Sequence, residues 1–384
     1  MNIGIITQPL HNNYGGLLQN YALQRVLISQ GHTPITIDQK AIEYPKWRVF
    51  IGRVKGTVMH LINPIKYSKP KYILTSEEKD YIERNTRQFI NTNIRHSPKC
   101  AGGESFKRVT IVHGVEGLIV GSDQCWRPKY NAYIEDMFLK FSESIPIKRR
   151  VAYAASFGTE SWEFSPELTE KCAMLAKKFD MITVREASGV ELCKKYLDVE
   201  ATQVLDPTML LNKMDYIKLV ENENEPQSPG DLFYYILDPC EEKQTLIHSL
   251  AEKYSLKPFT VMPKYQAETR TKADVKKRIE DCVFPSVTSW LRAFVDAKMV
   301  VVDSFHGAVF SIIFNKPFWV VQNGHRGNAR FDSLLSLFGL KERIINVEGE
   351  ADWDKSIDWE TVNEILKLEQ VKSLKSLEIL MENN

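Results

Sequence analysis

Short runs of β-branched residues alternate with longer amphipathic segments along most of the chain. The runs predict strands at 3–7, 33–38, 117–120, 151–155, 181–184 and 201–205, and further strands at 232–237, 299–302 and 317–321. Segments with apolar residues at helical spacing lie between them, such as 17–30, 187–197 and 307–314. Strands with intervening helices are typical of βαβ units, so the pattern predicts an α/β fold with parallel, doubly wound sheets.

The order of these elements predicts two Rossmann-like domains that face a cleft. The chain has 384 residues, which is more than one ordinary hydrophobic core accommodates. The polar stretch ENENEPQSPGD, residues 221–231, is typical of an interdomain linker. It would separate an N-terminal domain, 1–220, from a C-terminal domain, 232–350. The helical segment 351–384 is expected to pack back on the N-terminal domain.

The composition is that of a globular protein without a global electrostatic field. Fifty basic and 49 acidic residues give a formal net charge of +1, so the charge does not indicate a nucleic-acid partner. The six cysteines lack CxxC or metal-ligand spacing, which favours free thiols in a reducing compartment. The first residues do not resemble a secretion signal, and no run of about 18 apolar residues occurs. We therefore expect a cytoplasmic protein without a metal.

Ligands of doubly wound sheets bind beyond the carboxyl ends of the strands, so the strand-to-helix joints are the candidate sites. In the first joint, Asn13 and Tyr14 precede two glycines at the start of a predicted helix. Gly15 and Gly16 would let a ligand approach the free N–H groups of that helix. The glycines equally fit a simple turn, and the joint has neither a dinucleotide fingerprint nor a Walker A loop.

A second polar joint, VGSDQCW, follows the predicted strand 117–120. Ser122, Asp123 and Gln124 are suited to hydrogen bonds with sugar hydroxyls. Serine and aspartate are also favoured helix caps. The joint therefore supports either a sugar site or a helix cap.

Two further joints carry cations. Arg185, in TVREAS, can form a bidentate contact with a phosphate or carboxylate through its guanidinium. An ion pair with Glu186 or with the neighbouring domain is the alternative. The loop NGHRGNARFD holds His325, Arg326 and Arg330, which indicates an anion clamp or, alternatively, a solvated charged loop.

A histidine stands where the strand 299–302 passes into an apolar helix, in VVVDSFHGAVFSIIF. His306 precedes Gly307 at the start of that helix, a position suited to a general acid or base. A catalytic triad with Ser304 as nucleophile is disfavoured, because the sequence around it lacks a nucleophile elbow. A helix-capping or core-edge histidine is the structural alternative.

The segment 44–76 differs in charge from the rest of the chain. It contains no acidic residue and seven basic ones: Lys46, Arg48, Arg53, Lys55, Lys66, Lys69 and Lys71. Because apolar residues are interleaved among them, the segment can lie on an anionic membrane or hold a lipid diphosphate. A solvated connecting segment is the alternative.

Taken in order, these joints resemble those of the polysaccharide pyruvyl transferase family. The resemblance spans most of the chain and rests on HNNYGGLLQNYALQ, IVGSDQCWRP, YAASFG, VREASGVELC, VLDPTMLL, VVDSFHGAVFSIIFNKPF and RGNARFDSLLSLFGL. It implies a GT-B-like fold that needs neither a metal nor a cofactor. The implied reaction moves the enolpyruvyl unit of phosphoenolpyruvate, a co-substrate, onto two hydroxyls of a sugar, which forms a pyruvate ketal and releases phosphate.

The resemblance also implies roles for particular residues. His306 matches the family's proposed general acid, and Arg185 and Arg326 match positions associated with the anionic donor. Many members carry arginine where this chain has Ser304, so Arg326 or Arg330 would supply the missing contact.

We expect the N-terminal domain to hold the acceptor and the C-terminal domain to hold phosphoenolpyruvate. The expected acceptor-binding residues are Asn13, Tyr14, Gly15, Gly16, Ser122, Asp123 and Gln124, and the expected donor-binding residues are Arg185, Ser304, Gly307, His325, Arg326 and Arg330. Asp303 is expected to assist His306. Asp123 and Glu186 are further candidates to orient the acid or accept a hydroxyl proton.

The expected acceptor is a galactose-type sugar, free or lipid-linked, in a bacterial capsular or exopolysaccharide precursor. A lipid-linked acceptor would bring the cytoplasmic protein to the inner face of the membrane through the segment 44–76. The competing interpretation is a GT-B glycosyltransferase that uses a nucleotide sugar. A periplasmic sugar-binding protein and an inactive scaffold for capsule enzymes are further alternatives.

Overall fold

Two parallel β-sheets organise the chain. The computed structural model describes residues 1–40, 46–62, 73–131, 133–265, 272–322, 329–346 and 353–381. The first sheet contains six strands: β1 (Asn2–Ile6), β2 (Thr33–Thr36), β3 (Gly117–Val120), β4 (Arg149–Ala155), β5 (Met181–Val184) and β6 (Thr202–Gln203). The second contains five: β7 (Leu232–Tyr235), β8 (Pro258–Phe259), β9 (Met299–Val302), β10 (Phe318–Val321) and β11 (Ile344–Ile345).

The strand orders are β2-β1-β3-β4-β5-β6 in the first sheet and β11-β10-β9-β7-β8 in the second. Neighbouring strands are parallel in both sheets. The predicted parallel, doubly wound architecture is therefore confirmed. The strand-to-helix joints of each sheet consequently lie side by side at the carboxyl ends of its strands.

The α-helices of the described residues connect the strands and cover the sheets. They are α1 (Tyr14–Ser29), α2 (Lys46–Ile62), α3 (Ser76–Ile82), α4 (Arg84–Asn93), α5 (Gly103–Val112), α6 (Pro166–Ala176), α7 (Ala187–Leu192), α8 (Lys213–Asn222), α9 (Glu241–Lys253), α10 (Lys272–Lys277), α11 (Val287–Asp296), α12 (Phe305–Ile313), α13 (Ala329–Leu337) and α14 (Trp359–Leu377). None of the described helices is long and apolar enough to cross a bilayer.

The central strands form where the sequence has uninterrupted apolar residues. All four residues of β3 and all four of β9 are buried, because the sheets are covered on both faces. The predicted strand 201–205 shortens to β6, since the backbone of Leu205 leaves the ladder and donates its N–H to Ser373 Oγ at 3.0 Å. The edge strands β8 and β11 have only two residues each and were not predicted.

The last helix returns to the first domain, as predicted. In α14, Gln370 Nε2 donates to Met209 O at 2.7 Å, and Ser373 accepts the N–H of Leu205. Just beyond α14, the carbonyl of Ile379 accepts from Arg149 Nε at 3.1 Å. These contacts hold the C-terminal segment against the first domain.

Candidate active site

The two domains meet at the start of α12. Ser304 caps this helix, because its Oγ accepts the N–H of Gly307 at 3.2 Å. The imidazole of His306 packs directly on the backbone of Gly15, and a Cβ at that position would overlap the ring. On the first domain, Asp206 Oδ2 lies 3.4 Å from His306 Nε2. His306 is therefore enclosed between the domains, with 9% of its surface exposed.

Asp206 connects most of the polar groups of the site. Its Oδ2 accepts hydrogen bonds from Arg185 Nη1 at 2.9 Å and from Ser122 Oγ at 3.1 Å. Its Oδ1 accepts from the N–H and the hydroxyl of Thr208, at 3.0 and 2.7 Å. Burial disfavours the charged carboxylate, but the charges of His306 and Arg185 prevail and hold the pKa of Asp206 well below its ordinary value.

Asp206 was not among the residues singled out from the sequence. It lies in the quoted motif VLDPTMLL, shortly after β6, so it follows the carboxyl end of a strand like the other candidates. Its side chain also starts a short turn at Pro207 by accepting from Thr208. The position of an aspartate just after a strand could have indicated a site residue. An aspartate that only forms a turn gives the same local sequence pattern, however.

Arg185 is buried between two carboxylates. Its Nη2 lies 3.2 Å from Asp123 Oδ1, and its Nη1 bonds Asp206. Although burial opposes the charged form, Asp123 and Asp206 raise the pKa of Arg185 above its ordinary value. The guanidinium also stacks over Phe305, 4.3 Å from the ring centroid. Arg185 therefore joins the first domain to the residue that precedes the histidine.

Glu186, the alternative ion-pair partner for Arg185, makes other contacts. Its Oε1 accepts from Ser156 Oγ at 2.9 Å and from the N–H groups of Phe157 and Gly158 at 2.8 and 3.1 Å. It therefore holds the loop after β4.

The joint after β3 also faces inward. The backbone of Asp123 has φ 71°, in the left-handed region, and its carboxylate pairs with Arg185. Burial opposes its ionisation, but Arg185, His306 and Arg330 lower its pKa. Ser122 is fully buried, and Gln124 accepts from Arg127 Nη1 at 3.2 Å. Ser122 and Asp123 thus build the interior of the site.

Arg330 brings a second buried guanidinium to the same place. It lies on α13, whose Ser333 accepts from the N–H of Ala187 at 3.0 Å and from Gln203 Nε2 at 2.8 Å on the first domain. Its guanidinium carbon is 6.0 Å from the ring centroid of Phe305. Burial and the like charge of Arg185 lower the pKa of Arg330 to about 10, so the group stays charged at neutral pH.

The Nε of Arg330 has no hydrogen-bond partner among the residues that the structure describes. A buried cation that is incompletely paired and faces a second cation is costly unless an anion joins it. Arg330 is therefore the described residue best suited to bind an anionic substrate group.

Asp303 is engaged within its own domain. Its Oδ1 accepts from Leu237 N at 2.6 Å, and its Oδ2 accepts from Asp238 N at 3.1 Å and Lys243 Nζ at 2.7 Å. These bonds fix the loop that follows β7. The neighbouring Gly307 permits close packing, because a Cβ there would lie 2.7 Å from Ser304 Oγ.

The remaining candidates occupy different environments. Asn13 caps α1 by accepting from Gly16 N at 3.2 Å, and both residues are accessible beside the histidine. Tyr14 is buried at the domain interface, where its hydroxyl donates to Pro285 O at 3.0 Å and its ring stacks on Trp290. His325 and Arg326 lie outside the described residues.

Two large cavities that the described residues line lie away from the polar groups around His306 and Asp206. One, of about 550 Å³, lies between α9 and strands β7 and β8, and Lys243 contributes to its wall. The other, of about 710 Å³, borders α5. His306 itself is buried where the two domains meet, with 9% of its surface exposed.

Comparisons with known proteins agree with this architecture. UDP-GlcNAc 2-epimerase from Neisseria meningitidis, bound to UDP-GlcNAc, superimposes with a TM-score of 0.51 at 10% identity over 100% of both chains. Arabidopsis thaliana UGT89C1, complexed with UDP-L-rhamnose, superimposes with a TM-score of 0.50 at 9% identity over 98% of this chain and 97% of the other. At such low identity these likenesses concern the fold alone, which is GT-B-like.

No curated protein matches the chain. The sequence model of one family, described as polysaccharide pyruvyl transferase, matches residues 13–325. This range covers most of the chain and includes Asp123, Arg185, Asp206 and His306. The chain therefore belongs to the polysaccharide pyruvyl transferase family.

Proposed function

We propose that the protein transfers the enolpyruvyl unit of phosphoenolpyruvate to two hydroxyls of one sugar, forming a pyruvate ketal and releasing phosphate. The chain is an enzyme of the polysaccharide pyruvyl transferase family, so its reaction is pyruvyl transfer onto a polysaccharide. The donor and the ketal are the proposed part. The observation that carries them is the buried His306, 3.4 Å from Asp206, in a site that also holds the incompletely paired Arg330.

Phosphoenolpyruvate suits this site because it carries a phosphate and a carboxylate. Arg330 supplies a charged donor whose Nε has no hydrogen-bond partner among the described residues. Arg185 is already bonded to Asp123 and Asp206, so it holds the site together and adds positive potential. The start of α12 adds the partial positive charge of a helix N-terminus. Ser304 caps this helix instead of binding the donor. The anion contact that an arginine makes at this position in many family members is supplied here by Arg330.

The first chemical step is protonation of the methylene carbon by His306. This makes C2 electrophilic, and the first sugar hydroxyl attacks it and loses its proton. Phosphate then leaves with the C2–O bonding electrons, and the second hydroxyl attacks C2. One hydroxyl proton returns His306 to its protonated form, and the other leaves with the phosphate. Asp206, whose carboxylate remains ionised, lies 3.4 Å from Nε2 and orients the imidazole.

The acceptor is proposed to be a galactose-type sugar in a bacterial capsular or exopolysaccharide precursor, bound on the side of the first domain. Asn13, Gly16 and Gln124 are the accessible candidates there, since Tyr14, Gly15, Ser122 and Asp123 are buried. Both acceptor hydroxyls must reach the same C2 atom. The accessible start of α1 therefore has to lie beside the donor, and the contact of Gly15 with His306 supports this part of the proposal.

The test is incubation of the purified protein with phosphoenolpyruvate and a galactose-containing acceptor. Phosphate release and addition of one pyruvate to the acceptor, measured by mass spectrometry, are expected. His306→Gln should lower turnover by about 100-fold or more, the usual contribution of general acid catalysis. His113→Gln, at the end of α5, is the matched control and should retain turnover.

Two results would contradict the proposal. Full turnover of His306→Gln would exclude this residue as the acid. Calorimetric binding of UDP-sugars in preference to phosphoenolpyruvate, with glycosyl rather than pyruvyl addition, would favour the competing nucleotide-sugar glycosyltransferase.

A further inference from the structure

Helix α2 presents an apolar face to solvent. Trp47, Ile51, Val54, Val58 and Leu61 recur at intervals of four and three residues, which places them along one side of a helix. Their exposed fractions range from 48% for Val54 to 76% for Leu61. A helix of a globular protein normally buries such a stripe against its core. This face is therefore suited to a partner outside the described fold.

The hydrophobic core does not account for this face. None of these five residues belongs to the apolar clusters formed by the described parts of the chain. With Ile62, α2 contributes six of the eighteen large apolar side chains that the described residues expose. Contiguous exposed apolar surface of this kind marks an interaction site.

The charge of the segment indicates which partner fits. Residues 44–76 hold seven basic residues and no acidic one, whereas the whole chain has a net charge of only +1. Lys55, beside the apolar stripe, is exposed. A second copy of this chain would bring two such basic segments together, so self-association through this face is opposed by like charges. A surface that is both apolar and negatively charged complements it.

We infer that α2 docks on an anionic lipid bilayer, with its apolar stripe at the level of the acyl chains and the exposed Lys55 at the lipid phosphates. An amphipathic helix rich in lysine and arginine binds in this way, parallel to the membrane plane. Each basic residue near an anionic surface strengthens binding by about fivefold. The docking does not depend on the proposed reaction, and it would bring the enzyme to membrane-bound acceptors.

The test is co-sedimentation of the full-length protein with lipid vesicles in the absence of substrates. Vesicles of equal parts phosphatidylcholine and phosphatidylglycerol should bind the protein, and vesicles of phosphatidylcholine alone should bind it far more weakly. Leu61→Glu should weaken partitioning at least about tenfold, because it puts a charge into the apolar stripe. Leu368→Glu is the matched control on α14, with a leucine that is 71% exposed, and should bind as the wild type does.

Charge is tested separately with Lys55→Glu, which should lower binding to the anionic vesicles and leave binding to the neutral ones unchanged. Turnover with a soluble acceptor should be retained in Leu61→Glu and Lys55→Glu, which shows that both variants fold. Equal binding to both kinds of vesicle, or no binding to either, would overturn the inference. It would also be overturned if Leu61→Glu converted a dimer to a monomer without changing vesicle binding.

Discussion

Replacing Asp206 with asparagine tests the central ion pair of the site. The substitution preserves size, so no cavity contributes to the result, but it removes a negative charge that is 2% exposed. Arg185 would then retain Asp123 as its charged partner in a buried environment. The amide of the new side chain could still accept one hydrogen bond, either from Arg185 or from Thr208.

The size of the effect follows from these contacts. Two unit charges about 4 Å apart attract by about 4 kcal/mol at an effective dielectric constant of about 20. The one hydrogen bond that the neutral asparagine still accepts offsets about 1 kcal/mol of this loss. We therefore expect Asp206→Asn to lower the free energy of unfolding by about 3 kcal/mol, at the lower end of the cost of breaking a buried pair.

The assay is urea denaturation of both proteins at several pH values. Asp198→Asn, which removes an exposed partner of Lys177, is the control and should unfold like the wild type. Because the pKa of Asp206 is lowered in the folded protein, its charge stabilises the fold above about pH 4, and this stabilisation is lost as the pH falls further. The difference between wild type and Asp206→Asn should therefore be constant near neutral pH and shrink below about pH 4. Identical denaturation midpoints at neutral pH would refute the reasoning.

Two further substitutions address the contact between the domains and the anion site. Gly15→Ala should lower kcat by about 100-fold, because its Cβ overlaps the imidazole of His306 and displaces it. In Gly16→Ala the added Cβ meets only the side chain of Asn13, nearest at 3.0 Å, so kcat should fall far less, and an equal kcat in both variants would contradict the close packing of Gly15 on His306. Arg330→Gln should weaken phosphoenolpyruvate binding in calorimetry by about 10- to 100-fold, the value of a hydrogen bond to a charged group. The free energy of unfolding should not fall in this variant, because repulsion from Arg185 is removed. Arg330→Lys keeps the charge and should bind more tightly than Arg330→Gln, and unchanged affinity in both variants would exclude Arg330 from the donor site.

The fold was predictable because its central strands are buried on both faces. Val300, Val301 and Val302 form an apolar run that has no helical periodicity, and it becomes the strand β9. The edge strands β8 and β11 are too short to leave such a pattern. The sequence therefore predicted the architecture and the strand-to-helix joints, but not the short strands at the edges of the sheets.

The site was predictable in its location but not in its pairing. His306, Arg185 and Asp123 each follow the carboxyl end of a strand, and this rule placed them together. The partners of Arg185 are 62 and 21 residues away in the chain, so no local pattern distinguishes them from the adjacent Glu186. Asp206 was overlooked because a turn-forming aspartate and a buried ion-pair partner look alike in sequence.

The return of α14 to the first domain affects how the protein is made. During synthesis, the six strands of the first sheet leave the ribosome long before residues 359–377 do. Until then, Leu205 lacks Ser373 as a partner for its N–H, and Met209 lacks the amide of Gln370. Domains generally fold as units in the order of synthesis, but this one is completed only by the last helix. The turn that carries Asp206 therefore reaches its final support after translation of both domains, which ties maturation of the site to the synthesis of α14.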